Sequence, residues 1–244
     1  MNRTIIGQRI IHLSSVDSTN NYTAKLFKSG KISSGTVIMA EIQTNGRGQR
    51  ENAWQSVPFE NLTFSFPISS SNFSQIVSLN HTVALAIYDF IKKYVKEVKI
   101  KWPNDIIIRD KKVGGILIET SFEGKLLKHA IVGIGININQ KDFTFPSASS
   151  LSLETKTDFS PKLIVMELIH CLNNRLNDLR STSADEIHSN FDKRLWRKNE
   201  QSHFESKGSD FKGVITGTTS TGELIIEIEN EKVLFRNGEV SYLF

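Results

Sequence analysis

VKIKWPNDIIIRDKKVGGILIET, residues 98–120, decides how this chain is read. Residues 98–102 and 105–109 have strand character, and Pro103 between them has no N–H to offer a ladder, so pairing breaks there. The break lets Lys101, Asn104 and Asp105 turn out of the sheet. Asp110-Lys111-Lys112 supplies a turn into the next strand, residues 113–120, which carries the paired Gly114 and Gly115. After the turn at Glu123-Gly124 comes residues 126–138, another apolar strand. Four strands joined by short turns make a β-meander.

Upstream of it, residues 76–95 carry Ile76, Leu79, Val83, Ile87 and Ile91 at helical spacing, which predicts the longest buried helix. Further upstream, residues 9–13 read as a short strand. Asp17-Ser18-Thr19 offers N-caps for a helix that stops at Gly30. Residues 36–42 and 62–68 are strands, the second alternating Leu62, Phe64 and Phe66, with a polar loop at 43–61 between them. Downstream, residues 161–179 and 184–196 are helices, Pro161 suiting a first turn. Beyond Asn199 the character changes to short β-rich pieces, 211–216, 223–228, 232–235 and 239–243, separated by Gly- and Asn-containing turns. The predicted fold class is α+β: a mixed β-sheet with helices over residues 1–199, and a small C-terminal antiparallel β-barrel over 200–244.

With 244 residues and 39% hydrophobic content the chain can bury one large core and a small satellite. The formal net charge of +4 suits an anionic substrate or an acidic partner, and the scatter of the lysines and arginines argues against nucleic acid. Cys171 is the only cysteine, which rules out an internal disulfide and fits a reducing compartment. No signal peptide is read at the N-terminus, and no apolar run approaches the roughly 20 residues a bilayer span needs. The expected setting is cytoplasmic, with no membrane association.

Four stretches carry possible chemistry, each with a plainer alternative. Gln43-Thr44-Asn45-Gly46-Arg47-Gly48-Gln49-Arg50 is either an anion-binding nest flanked by arginines or a solvated loop. Lys101-Trp102-Pro103-Asn104-Asp105 groups a cation, an amide and a carboxylate able to take magnesium, or it is a capped bulge. Lys112, beside Gly114-Gly115, could reach a carboxylate or phosphate, or is a surface lysine. Gly133-Ile134-Gly135-Ile136-Asn137 leaves a flat floor for a ring with Asn137 on the same face, or merely packs tightly against a helix.

In this order, together with Asp17-Ser18-Thr19-Asn20 and Trp54, the four stretches resemble the motif series of biotin–protein ligases. Gly213, Gly222-Glu223-Leu224 and Gly238-Glu239-Val240-Ser241 resemble that family's small terminal barrel. The resemblance implies a catalytic fold shared with lipoate ligases and class II aminoacyl-tRNA synthetases, with an SH3-like C-terminal domain. It implies that biotin is activated with ATP to biotinyl-AMP and passed to a lysine of a biotin carboxyl carrier protein, with Mg2+ assisting.

Residue by residue, the resemblance puts Ser18, Thr19, Asn20, Gln43, Gly46, Gly115, Leu117, Gly133 and Gly135 around biotin. Arg47 and Lys112 would bind the biotin carboxylate and the α-phosphate, and with Lys101 form the catalytic set. Arg50, Trp54, Lys101, Asn104 and Asn137 would meet the nucleotide, Trp54 near the adenine, and Asp105 is the candidate magnesium ligand. Where the family loop commonly reads Gly-Arg-Gly-Arg-x-Gly-Arg-x-Trp, this chain has Gln49, Glu51 and Asn52. Arg50 is expected to take over some phosphate contact. The first catalytic strand begins near Arg9, so no N-terminal DNA-binding domain and no sequence-specific DNA binding are expected. Whether a sheet edge pairs in a homodimer is left open.

Overall fold

The computed structural model describes residues 5–243 apart from 51, 74 and 125. In chain order it runs β1 (Ile10–Val16), α1 (Thr19–Lys28), β2 (Val37–Gln43), β3 (Leu62–Ser69), α2 (Ile76–Lys92), β4 (Val98–Lys101), β5 (Asp105–Ile108), β6 (Lys111–Glu123) and β7 (Leu126–Ile136). Then follow α3 (Leu151–Thr155), α4 (Pro161–Ser181), α5 (Ala184–Asp192), β8 (Gln201–Ser206), β9 (Ser209–Thr218), β10 (Leu224–Ile228), β11 (Glu231–Phe235) and β12 (Ser241–Leu243). The first seven strands form one mixed sheet in the order β1-β2-β3-β7-β6-β5-β4. Only β1 and β2 pair in parallel; the meander β4 to β7 is antiparallel throughout, as its short turns require.

Helix α2 packs under β4, β5 and β6 and is itself covered by α4 and α5. That double cover explains why α2 is buried over most of its surface, with Leu79, Val83, Ile87 and Ile91 fully inside and Ile76 part-exposed. On β3 the alternation divides the labour. Leu62, Phe64, Phe66 and Ile68 enter the core, while Thr63 and Ser65 face the other way, and Ser65 meets α1. Ser18 is the N-cap of α1 but makes no side-chain capping bond, so its hydroxyl is left for the space in front of the sheet.

The second sheet is antiparallel, five-stranded, in the order β11-β10-β9-β8-β12. Its strand β8 was not expected. Gln201 to Ser206 reads as polar, and only Ser202 and Phe204 turn inward, so tertiary cover and not hydrophobic pattern makes it a strand. Helix α3 was also missed, being one turn and too short to show a period. The expected helix over 184–196 stops at Asp192. Beyond it Arg194 and Trp196 exchange backbone bonds with Ile100, at 2.9 and 2.8 Å, and so cover the β4 edge.

A cleft built by strand register

Five strands contribute one residue each to a single row. Lys101 pairs with Asp105, Asp105 with Gly115, Gly115 with Gly135, and Gly135 with Thr63. The next row along is Leu117, Gly133 and Ser65. Residues in register share a face of the sheet, so three glycines lie side by side as a floor. Hydroxyls bound it at one end, and a carboxylate and an amine at the other. The cleft above has a volume of about 400 Å³ and is bounded by the 43–54 loop, the start of α1 and the last turn of the second sheet.

At the hydroxyl end the polar groups form a continuous chain. Thr19 donates through its N–H (2.8 Å) and hydroxyl (3.0 Å) to Gln43 Oε1. Ser65 Oγ lies 2.7 Å from Thr19 Oγ1 and 2.6 Å from Asn20 Oδ1. Asn20 Nδ2 donates to Glu119 Oε2 at 2.9 Å, and Glu119 Oε1 pairs with Arg47 Nη2 at 2.8 Å. Arg47 also donates to Asn21 Oδ1 at 2.7 Å. The close fit here requires Gly133, since a Cβ at that position would overlap the Asn20 carboxamide.

The floor itself carries a ring, and it is the protein's own. Trp54 lies on Gly135, where a Cβ would come within 2.5 Å of the indole, and touches Gly115. Its buried Nε1 has no hydrogen-bond partner among the described residues. Lys112 Nζ is 6.0 Å from the Trp54 ring centroid and bonds Asp105 Oδ1 at 2.7 Å. At the other end the Lys101 ammonium sits 4.6 Å from the Tyr242 ring and 5.3 Å from Trp196. Burial holds Lys101 below the ordinary lysine range; Lys112 and Arg197 add to the depression, and Asp105 opposes it. Burial also pushes the Tyr242 phenol up, helped by Asp105, and its hydroxyl has no partner among the described residues.

Every site residue expected from the sequence lines this cleft except two. Gly46 faces the other arm of its own loop, where a Cβ would overlap the Trp54 carbonyl, so it permits the loop to close on itself. Asn137 does not reach the cleft: the sheet ends at Ile136, and the Asn137 amide donates to Ser149 O at 3.0 Å beneath the strand-following loop. Two lining residues are also turned to the protein. Asn104 Nδ2 bonds Ile116 O at 2.6 Å, and Arg50 Nη2 bonds Asn237 O at 2.7 Å. Glu51 lies outside the described residues.

Thr63, Ser65 and Tyr242 were not foreseen. The first two had a signal, the polar half of the alternation in β3; Tyr242 had none, because nothing local says that the last strand folds back over the site. Among the described residues no group of three or more His, Cys, Asp or Glu could hold a metal, so Asp105 stands as a lone carboxylate.

This fold is that of a known class. The chain superposes on the biotin protein ligase of Aquifex aeolicus in complex with biotin and ATP with a TM-score of 0.81 at 27% identity, covering 97% of this chain and 99% of that one. It shares its fold with the Leishmania major biotin protein ligase in complex with biotinyl-5-AMP, at a TM-score of 0.66 and 20% identity. The profile of the biotin/lipoate A/B protein ligase family matches residues 13–137, a little more than half of the chain, and the protein belongs to that family. The bifunctional ligase/repressor BirA of Bacillus spizizenii is 30% identical over 181 residues, 71% of this chain but 55% of its own length. The chain thus spans about half the length of the curated relatives it matches.

Proposed function

We propose that the protein is a biotin–protein ligase that joins biotin to AMP and then transfers the biotinyl group to a lysine of a biotin carboxyl carrier protein. The observation that carries this reading is the register row: a glycine floor with paired hydroxyl and amide groups at one end and Lys112, Asp105 and Lys101 at the other. A bicyclic urea matches the polar chain of Thr19, Asn20, Gln43 and Ser65, and once Trp54 swings off Gly135 an apolar arm with a terminal carboxylate fits along the glycines towards Lys112.

In the first half-reaction the biotin carboxylate oxygen bonds to the α-phosphorus and the bond to the β-phosphate oxygen breaks, releasing pyrophosphate. The substrate is the nucleophile, so the protein's task is to hold two anions together and meet the charge that grows on phosphate. Lys112 exchanges Asp105 for the reacting oxygens, Arg47 stands at the rim as a second cation, and Lys101 meets the nucleotide phosphates. Magnesium fits as a nucleotide-borne ion: the phosphates and Asp105 would hold it, because a single carboxylate suffices when phosphates supply the other ligands. When bound it would supply positive charge beside the phosphates that Lys101 also meets. In the second half-reaction the carrier's amine bonds to the acyl carbon and AMP leaves. The Thr44 to Ser56 loop keeps water from the mixed anhydride in between.

Residues 1–199 serve in this reading as the catalytic unit and 200–244 as a small SH3-like barrel. The setting is the cytoplasm. ATP–pyrophosphate exchange with biotin, with lipoate and with no acid tests the proposal. Exchange with biotin alone is expected. Exchange with lipoate alone would keep the mechanism and replace the substrate, and none with either would remove the ligase reading.

A further inference from the structure

The 43–54 loop does not end its contacts at the cleft. Arg50 Nη2 donates to the Asn237 carbonyl at 2.7 Å, and Asn237 Nδ2 donates back to Gln49 Oε1 at 2.8 Å, between residues 187 and 188 positions apart. The guanidinium lies so close over Gly238 that any Cβ there would overlap it. Gly238 has φ +79, a region glycine enters without steric cost, and Asn237 beside it offers both its carbonyl and its side-chain amide to the loop. Arg50 itself has φ 54, a region unfavourable for a residue with a Cβ and kept where surrounding contacts impose it.

The receiving turn is rigid. Arg236 N–H donates to Glu239 Oε2 at 2.8 Å, Glu239 N–H donates to Arg236 O at 2.9 Å, and Ser206 Oγ ties the Glu239 carbonyl to β8 at 2.6 Å. The two loop residues that make the latch, Gln49 and Arg50, fall in the segment where this chain departs from the usual arginine-rich pattern.

We propose that Gln49 and Arg50 are positioning residues that latch the substrate-covering loop to the Asn237–Gly238 turn, so that the second sheet sets when the cleft is closed. Arg50 spends its charge on a backbone carbonyl and not on phosphate. The loop's grip on the reactive adenylate therefore depends on the C-terminal turn. This rests on the ligase reading for its consequence, but the latch itself is a property of the chain without substrate.

The test is a double-mutant cycle with Arg50→Ala and Gly238→Ala, read two ways in the full-length protein. Without substrate, cleavage by chymotrypsin after Trp54 reports loop release. With biotin and ATP but no carrier, leakage of biotinyl-AMP to free biotin and AMP reports retention. Each single variant is expected to speed cleavage and leakage by about three- to tenfold, the range for losing one hydrogen bond of ordinary net strength. The double variant should be no worse than either single one, because both remove the same contact. Gln49→Ala, which removes the second bond without touching backbone strain, should move both readouts in the same direction by less. Additive effects, or an Arg50→Ala variant that raises the KM for ATP while its loop cleavage and that of Gly238→Ala stay at the wild-type rate, would overturn the latch and return Arg50 to the phosphates. If the wild-type protein makes no biotinyl-AMP, the ligase reading fails, and the cleavage cycle still decides the latch.

Discussion

Gly133 shows how little room a single residue leaves. Its missing Cβ is the space the Asn20 carboxamide occupies, and Asn20 links Ser65 to Glu119. Gly133→Ala should push Asn20 aside and raise the KM for biotin about 5- to 100-fold with a smaller change in kcat, the span for disrupting buried hydrogen bonds. Exchange rates measured against biotin concentration check this. Lys101 makes a prediction in pH. Its folded pKa lies below the unfolded value, so between the two the unfolded chain holds the extra proton and this lysine's contribution to stability rises with pH. Its usefulness to an anionic nucleotide goes the other way, vanishing as pH climbs through the depressed pKa. The kcat/KM for ATP should therefore fall on the alkaline side before an ordinary lysine would titrate. Lys101→Arg should push that limb upward, since a guanidinium keeps its charge.

Elements meet at one junction that is sensitive to acid. His81, on α2, stacks on Phe191 of α5 with ring centroids 3.8 Å apart and on His188 at 5.7 Å. His188 in turn lies 2.8 Å from Thr218 Oγ1 and 3.6 Å from Asp192, and Asp192 accepts from Thr218 at the end of β9. Burial, with some help from His188, lowers the His81 pKa to about 3. The folded value is below the unfolded 6.5, so the unfolded chain takes the proton first, and stability is lost as pH falls from 6.5 towards 3. The loss should be on the order of a few kcal/mol at the bottom of that window. His81→Phe, which keeps a ring for Phe191, should flatten the acid limb of stability, as followed by urea unfolding at a series of pH values.

The whole molecule is one working unit because its two sheets share the cleft. Besides the latch, Trp102 Nε1 donates to the Gly222 carbonyl at 2.9 Å, joining the turn after β4 to the turn before β10. Trp102→Phe keeps the buried ring but leaves that carbonyl unpaired, costing about 1–3 kcal/mol. The expected outcome is a thermal midpoint a few degrees lower for a chain of this size. An unchanged midpoint would mean the second sheet contributes nothing to global stability through this bond.

What could be read from residues alone was whatever obeys a local rule. The meander followed from Pro103 and the turns, α2 from its 3.6-residue period, and the family resemblance from the order of short motifs. The glycines at 133 and 135 were legible as a floor because strands alternate with period two, and Gly115 only as a point of close approach. Register was not legible: no local rule says that Lys101, Asp105, Gly115, Gly135 and Thr63 fall in one row, since that depends on β7 inserting between β3 and β6. Nor could local reading turn Asn137 away to Ser149, lay Trp54 on the floor, or bring Tyr242 and Asn237 back to the site. The first two are made when the first sheet and its loops pack, and the contacts of Tyr242 and Asn237 exist only once the two sheets have packed together.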